Sequence, residues 1–165
     1  MKNRSLLTLV LFSFLFIGFT TTSCKKDKDG ACTNFPVLDG QITINNTSQK
    51  LSIAQFSATQ NLYVFQLASV SDDCNKQNIL NVNIKTVSGA RLGGTYPITD
   101  FFGSGDNSAF GSFATQQVSP VSQSSVDLAT GTVKITELAT KKYTIEVSAI
   151  DQLGGVVAIS LTHQF

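Results

Sequence analysis

The residues able to do chemistry are few and far apart. His163 is the single histidine of the 165-residue chain, and Glu137 and Glu146 are its only glutamates. A serine nucleophile needs a base within reach, and in one large class it also needs a sharp Gly-x-Ser-x-Gly turn. Gly103-Ser104-Gly105 lacks that spacing, and His163 stands between Leu161 and Phe165 on an apolar parity, where an imidazole packs near a sheet end. Paired-carboxylate chemistry needs two acids facing each other across a cleft. Asp72 and Asp73 are adjacent, so they diverge on a strand and accept backbone N–H groups in a turn. No catalytic residue is assigned, and the chain reads as a non-enzyme without a cofactor.

The segment from Asp100 to Ser108 is the most unusual stretch, with two aromatics and two glycines between acidic residues. Phe101 and Phe102 are candidates for stacking on a ligand. Asp106 and Asn107 offer oxygens of the kind Ca²⁺ takes. No repeated Asp-x-Asp spacing accompanies them, so no metal site is assigned. The four residues stand as candidate ligand-binding residues, against the plainer reading of a turn whose aromatics cap the core.

Cys24 carries the clearest chemistry. Lys2 and Arg4 precede an apolar run from Leu6 to Phe19, Thr20 to Ser23 are small, and Lys25-Lys26-Asp27-Lys28-Asp29 follows. A run of about 14 residues is short of the ~20 that cross a bilayer as a helix. With its basic start it reads as a cleaved signal, residues 1–23. The order matches a lipoprotein export signal, in which the cysteine becomes the acylated first residue of the mature protein. Two or more acyl chains give stable anchoring. Thr21 departs from the pattern, since an aliphatic residue is usual three places before the cysteine. The Ser23-Cys24-Lys25-Lys26-Asp27 junction resembles that of small lipoproteins of the Bacteroidota. The resemblance implies an outer-membrane lipid anchor, facing the periplasm or the cell surface, with the bilayer as partner through acylated Cys24.

Removing the signal leaves about 140 residues, enough for one domain with a real core. The net charge falls from +1 to −1 when Lys2 and Arg4 leave. No basic stripe remains to bind nucleic acid. Cys32 and Cys74 then form the one available disulfide in an oxidising compartment. In the chain-entropy picture closing that loop stabilises by roughly 4 kcal/mol. Residues 24–31 form a polar tether, and residues 32–165 form the domain.

The elements that must position these residues follow a period of two. Tyr143, Ile145, Val147 and Ala149 share one parity against Lys142, Thr144, Glu146 and Ser148. Val157, Ile159, Leu161, His163 and Phe165 repeat the pattern, with Asp151 to Gly155 as a hairpin loop. Further strands are predicted over 41–46, 51–58, 61–69, 78–87 and 107–117. Thr130-Gly131 is read as a turn between strands at 125–128 and 132–136. Phe110 and Phe113, on opposite parities, predict a bulge or a strand buried on both faces. Ser/Gln-rich 115–125 reads as a loop, or as an edge strand beginning after Pro120, and Pro97 is confined to an edge or a strand start.

The predicted fold is all-β, an antiparallel β-sandwich of about eight or nine strands, with a lipocalin-like β-barrel as the alternative. The Gly94-Thr95-Tyr96-Pro97-Ile98 and Gly131-Thr132-Val133-Lys134-Ile135 elements and the 142–165 hairpin also resemble the layout of uncharacterised lipoprotein domains of the same bacterial group, which implies no known chemistry. The functional reading is an envelope lipoprotein acting as a non-enzymatic binding or structural module for a glycan or protein ligand. The alternatives are a barrel carrying a small apolar ligand and, last, an envelope hydrolase using His163.

Overall fold

The computed structural model describes residues 35–100 and 103–165. Cys24, Cys32, Phe101 and Phe102, with the export segment and tether, lie outside the described residues. Among those described there is no helix. The ten strands are β1 (Gly40–Ile44), β2 (Thr47–Lys50), β3 (Ile53–Thr59), β4 (Leu62–Val70) and β5 (Lys76–Lys85), then β6 (Gly94–Ile98), β7 (Ser108–Gln117), β8 (Ser122–Ala139), β9 (Lys142–Asp151) and β10 (Val156–Gln164).

The strands form one sheet in the order β2-β1-β10-β9-β8-β6-β7-β5-β4-β3. Its ladders are antiparallel except for a single parallel bridge, Ile98 to Ala109, between β6 and β7. The sheet is open, because no ladder joins β2 to β3, so the closed lipocalin-like barrel is not formed. Its two edges are nevertheless consecutive pieces of chain, separated only by Leu51 and Ser52. The Leu51 N–H donates to the Gly40 carbonyl (3.1 Å), and the Ser52 N–H donates to the Ala68 carbonyl (2.8 Å). The chain thus leaves its partner β1 for β4 between one residue and the next.

β8 makes the second change of partner. Ser122–Asp127 pairs with β7, and Leu128–Ala139 pairs with β9, with a register shift between Leu128 and Thr130 at the changeover. Sheets turn corners where a strand switches layer through a bend or bulge. Two such corners fold this sheet into two facing layers. The first half of β8 joins β7, β5, β4 and β3, and its second half joins β9, β10, β1 and β2. Rings meet across the gap. Phe65 of β4 lies edge-on to Tyr143 of β9 with centroids 6.4 Å apart, and Phe56 of β3 is 5.6 Å from Phe165.

The alternation read from the chain is what places these side chains inside. Ile145 and Leu161 face Leu67, Leu80 and Ile84 within one core, and all five are fully buried. Each such side chain contributes roughly 1.5–3 kcal/mol relative to exposure. Pro97 sits where its ring does no harm. Thr99 donates its N–H to the Ala109 carbonyl (2.9 Å), so Pro97, of the same parity, turns its bare nitrogen to the side where β7 has not begun.

Two sequence expectations need correction, and a third, left open between two readings, is decided. Asn45 and Asn46 do not continue a strand over 41–46. Both have positive φ (46° and 69°) and make the two-residue turn between β1 and β2. That is the left-handed pair a type I′ hairpin requires, and asparagine tolerates it best after glycine. Thr130-Gly131 does not separate two strands, because β8 runs through it. Gly131 is there for close approach: at its φ of 137° a Cβ would stand 2.1 Å from the Ser148 carbonyl oxygen of β9. The opposed parities of Phe110 and Phe113 mark no bulge, since the β5–β7 register runs unbroken. Both rings are partly buried, one on each face. The 115–125 stretch resolves as a hairpin whose second strand begins just after Pro120.

Tyr96 ties the β5–β6 connection to the core. Its hydroxyl donates to the Leu92 carbonyl at 2.6 Å, out of water. Burial, and then the neighbouring Tyr63, hold its pKa above the usual 10.0. Burial also raises Tyr143, helped by Glu137. A raised phenol pKa in the folded state means the unfolded chain loses its protons first. The stability it lends is whole below about pH 10 and drains away as pH rises through the folded pKa. Urea unfolding from pH 7 to 11 should show a flat plateau and then a fall above about pH 10. Tyr96→Phe should start lower, by about 1 kcal/mol for the lost hydrogen bond, and fall less steeply.

Candidate functional site

The described part of the 100–108 loop is a turn held by its own polar groups. The Asp100 carboxylate accepts the Gly103 N–H. The Ser108 hydroxyl donates to the Gly105 carbonyl at 2.6 Å. Asp106 lies 3.6 Å from Lys85 at the surface, a pair of the kind worth little in stability. Asn107, at a φ of 61°, reverses the backbone into β7. Asp106 and Asn107 are therefore placed as turn residues, and their companions Phe101 and Phe102 fall outside the described residues. Among the described residues no three His, Cys, Asp or Glu side chains come close enough to hold a metal ion.

His163 keeps the place its parity predicts. It faces the same way as Phe165, with the rings edge-on and 4.8 Å apart, and sits opposite Tyr143 in the ladder. Glu146 is paired across the strands with Lys134 at 2.9 Å on the outer face. The histidine and the glutamate thus belong to different faces.

A groove of about 440 Å³ opens where β2 parts from the end of β4. Lys50 and Ser52 line one wall and Val70, Ser71 and Asp72 the other, with Phe35 and Val37 also in the lining. It exists because the chain leaves β1 at Leu51 and takes up β4 only from Ser52 onward. Without a ladder across the gap, the Gln49 side chain bridges it. Its carbonyl oxygen accepts from the Ser69 hydroxyl and from the Asn78 amide, each at 2.8 Å, and Asn78 in turn accepts from Thr115 at 2.9 Å. Four strands are stitched through this chain of side chains, and Ser69 and Asn78 are buried.

The far wall is stiff. Asp73 accepts the Asn75 N–H (2.9 Å) and the Ser71 hydroxyl (2.6 Å), and Ser71 accepts the Lys76 N–H (2.8 Å). Asp73 therefore accepts a backbone N–H as its turn position implied, while Asp72 lies exposed in the lining of the groove. Asn75 and Ser119 exchange a pair of 2.8 Å hydrogen bonds, clamping this turn to the β7–β8 turn. Cys74 occupies the left-handed position of the turn (φ 57°) and is not free. One cation, one carboxylate, several hydroxyls and a strip of apolar surface make the groove suited to a polar, near-neutral ligand with an apolar face. The sequence reading missed it, since it depends on where two strands diverge. The one readable sign was Asn45-Asn46, which marks Thr47–Lys50 as a separate short strand.

Gln49→Ala would leave the buried Ser69 hydroxyl and Asn78 amide without their acceptor. The expected loss is about 1–3 kcal/mol, measured by urea unfolding, and it should be less than additive with Thr115→Val because both act on one chain of bonds. No protein-family model, no curated protein and no solved structure matches the chain.

Proposed function

We propose that the chain is a lipid-anchored envelope lipoprotein, held at the outer membrane by acylated Cys24, whose β-domain is a non-enzymatic binding or structural module. The observation that carries this reading is the order of residues 2–29: basic start, short apolar run, small residues, cysteine, charged tether. The fold is compatible with it in two ways. The core is filled by side chains such as Leu67, Leu80, Ile84, Ile145 and Leu161, with Phe56, Phe65, Tyr143 and Phe165 in mutual contact beside them, which leaves surface recognition as the natural mode. The groove beside Lys50 and Asp72 offers a surface concavity for it, and the presence of Phe35 and Val37 in its lining sets it close along the chain to the tether. A tether of residues 24–31 reaches at most about 25 Å, so a ligand meets the groove at the membrane surface.

The same reading pairs Cys32 with Cys74. The turn that carries Cys74 is hydrogen-bonded within itself and to the β7–β8 turn, which would give such a pair a fixed seat. The pair would pin the start of the domain beside the groove.

Metabolic labelling with a palmitate analogue tests the anchor. The wild-type chain should take up label and fractionate with membranes, while Cys24→Ala should lose both. Equal labelling of the two would overturn the localisation. Titrating thiols on the denatured, unreduced Cys24→Ala chain should find none. Two reactive thiols would remove the disulfide.

A further inference from the structure

Between Ser122 and Val126, β8 has β7 on one side only. The Gln152 N–H donates to the Asp127 carbonyl at 3.0 Å, from the side away from β7. In an extended strand a residue's N–H and C=O point the same way, and successive residues alternate. Asp127, Ser125 and Gln123 therefore turn their main-chain groups outward, while Val126, Ser124 and Ser122 turn theirs to β7. The partner strand agrees. Val118 donates its N–H to Asn75 on the β5 side, so Gln117, Thr115 and Phe113, which face Ser122, Ser124 and Val126, point to β8. Among the described residues the outward groups of Gln123 and Ser125 meet no partner, and Ser122 to Ser125 are exposed.

Exposed edges are usually blunted by charge, proline or a bulge. This one carries none of them. No charged side chain occurs from Asn107 to Val126, Pro120 lies in the turn ahead of the strand, and the register shift comes later, at Leu128. Apolar side chains flank the edge instead. Val121 is 89% exposed at its start, and Leu153, next to Gln152, is 87% exposed at its end.

We propose that this edge is a self-association site, where two copies of the chain pair their β8 strands antiparallel about a two-fold axis through Ser124. The register is self-complementary. With Ser124 facing Ser124 of the second copy, Gln123 faces Ser125 and Ser125 faces Gln123, so every outward residue meets an outward residue. Each of these pairs exchanges two main-chain hydrogen bonds. An uncharged edge meets its own copy without like-charge repulsion, and a two-fold contact closes on itself. So narrow a contact buries less than the ~1,000 Å² of stable complexes, so the pair is weak and depends on concentration.

Sedimentation equilibrium of the full chain should show a monomer–dimer equilibrium. Gln123→Pro removes an outward N–H and no bond to β7, and should weaken association by about ten-fold or more, over 1.4 kcal/mol, with the thermal midpoint unchanged. If that variant does not fold, Ser125→Lys sets like charges across the axis and should weaken association in the same way. Mild oxidation should link Ser124→Cys chains to each other, because facing Cα atoms at such a pair lie within disulfide range. Ser122→Cys, out of register, should link no more than wild type. A chain that stays monomeric at its highest attainable concentration overturns the proposal. So does association unchanged in both edge variants, or an edge that pairs only with an added foreign strand.

Discussion

The molecule depends on two stretches of chain, β2–β3 and β8, that each pass from one partner to another. An extended chain offers hydrogen bonds on both sides, and a sheet that must hide one face can do so by folding over on itself. Here the fold-over is achieved at Leu51–Ser52 and at Leu128–Thr130, where the chain hands its ladder from one layer to the other. If either stretch kept to one layer, the layers would part and Phe65 would lose Tyr143. The cost of each corner is a row of backbone or side-chain polar groups that no ladder satisfies. At the first corner Gln49 supplies the missing acceptor for Ser69 and Asn78. At the second, Gly131 lets β9 come within van der Waals range of a backbone that a Cβ would hold away.

Inside the corners, packing is ordinary and correspondingly legible. Alternation in 142–149 and 157–165 placed Tyr143, Ile145, Val147, Leu161 and their neighbours on the buried face, and the ladder between β9 and β10 runs the length of both strands. Parity says which face a side chain takes but not which strand it will lie beside. That is why the all-β character and the terminal hairpin were readable while the exchange of partners was not. Thr130-Gly131 looked like a turn because glycine frees the backbone in a turn, and it equally permits close approach within a strand. Only the position of Ser148, distant in sequence, decides between them.

The candidate site shows the same limit. The residues singled out for unusual composition, Asp106 and Asn107, have local jobs: one pairs with Lys85 and the other turns the chain. Local hydrogen bonding of short polar side chains is the commonest use of such residues. The groove instead draws on Lys50, Val70 and Asp72, none of which is remarkable in its own stretch of sequence. They converge because β2 is short and leaves its neighbour early, a property of the two-residue Asn45-Asn46 turn and of the corner at Leu51.

Both open places on the molecule therefore have one origin. A strand that switches partners leaves each of its halves with a side that the other half's partner does not reach. For β8, β6 fills the vacancy on the side of β7, pairing with Gly131 to Ile135. Nothing among the described residues fills it on the side of β9 beyond Asp127. For the 47–59 segment, the space between β2 and the end of β4 is bridged by a single side chain and remains a groove. A closed barrel of the same strands would have neither feature, because every edge would be spent on its neighbour. The open corners thus give an otherwise filled domain the surfaces at which it can meet other molecules.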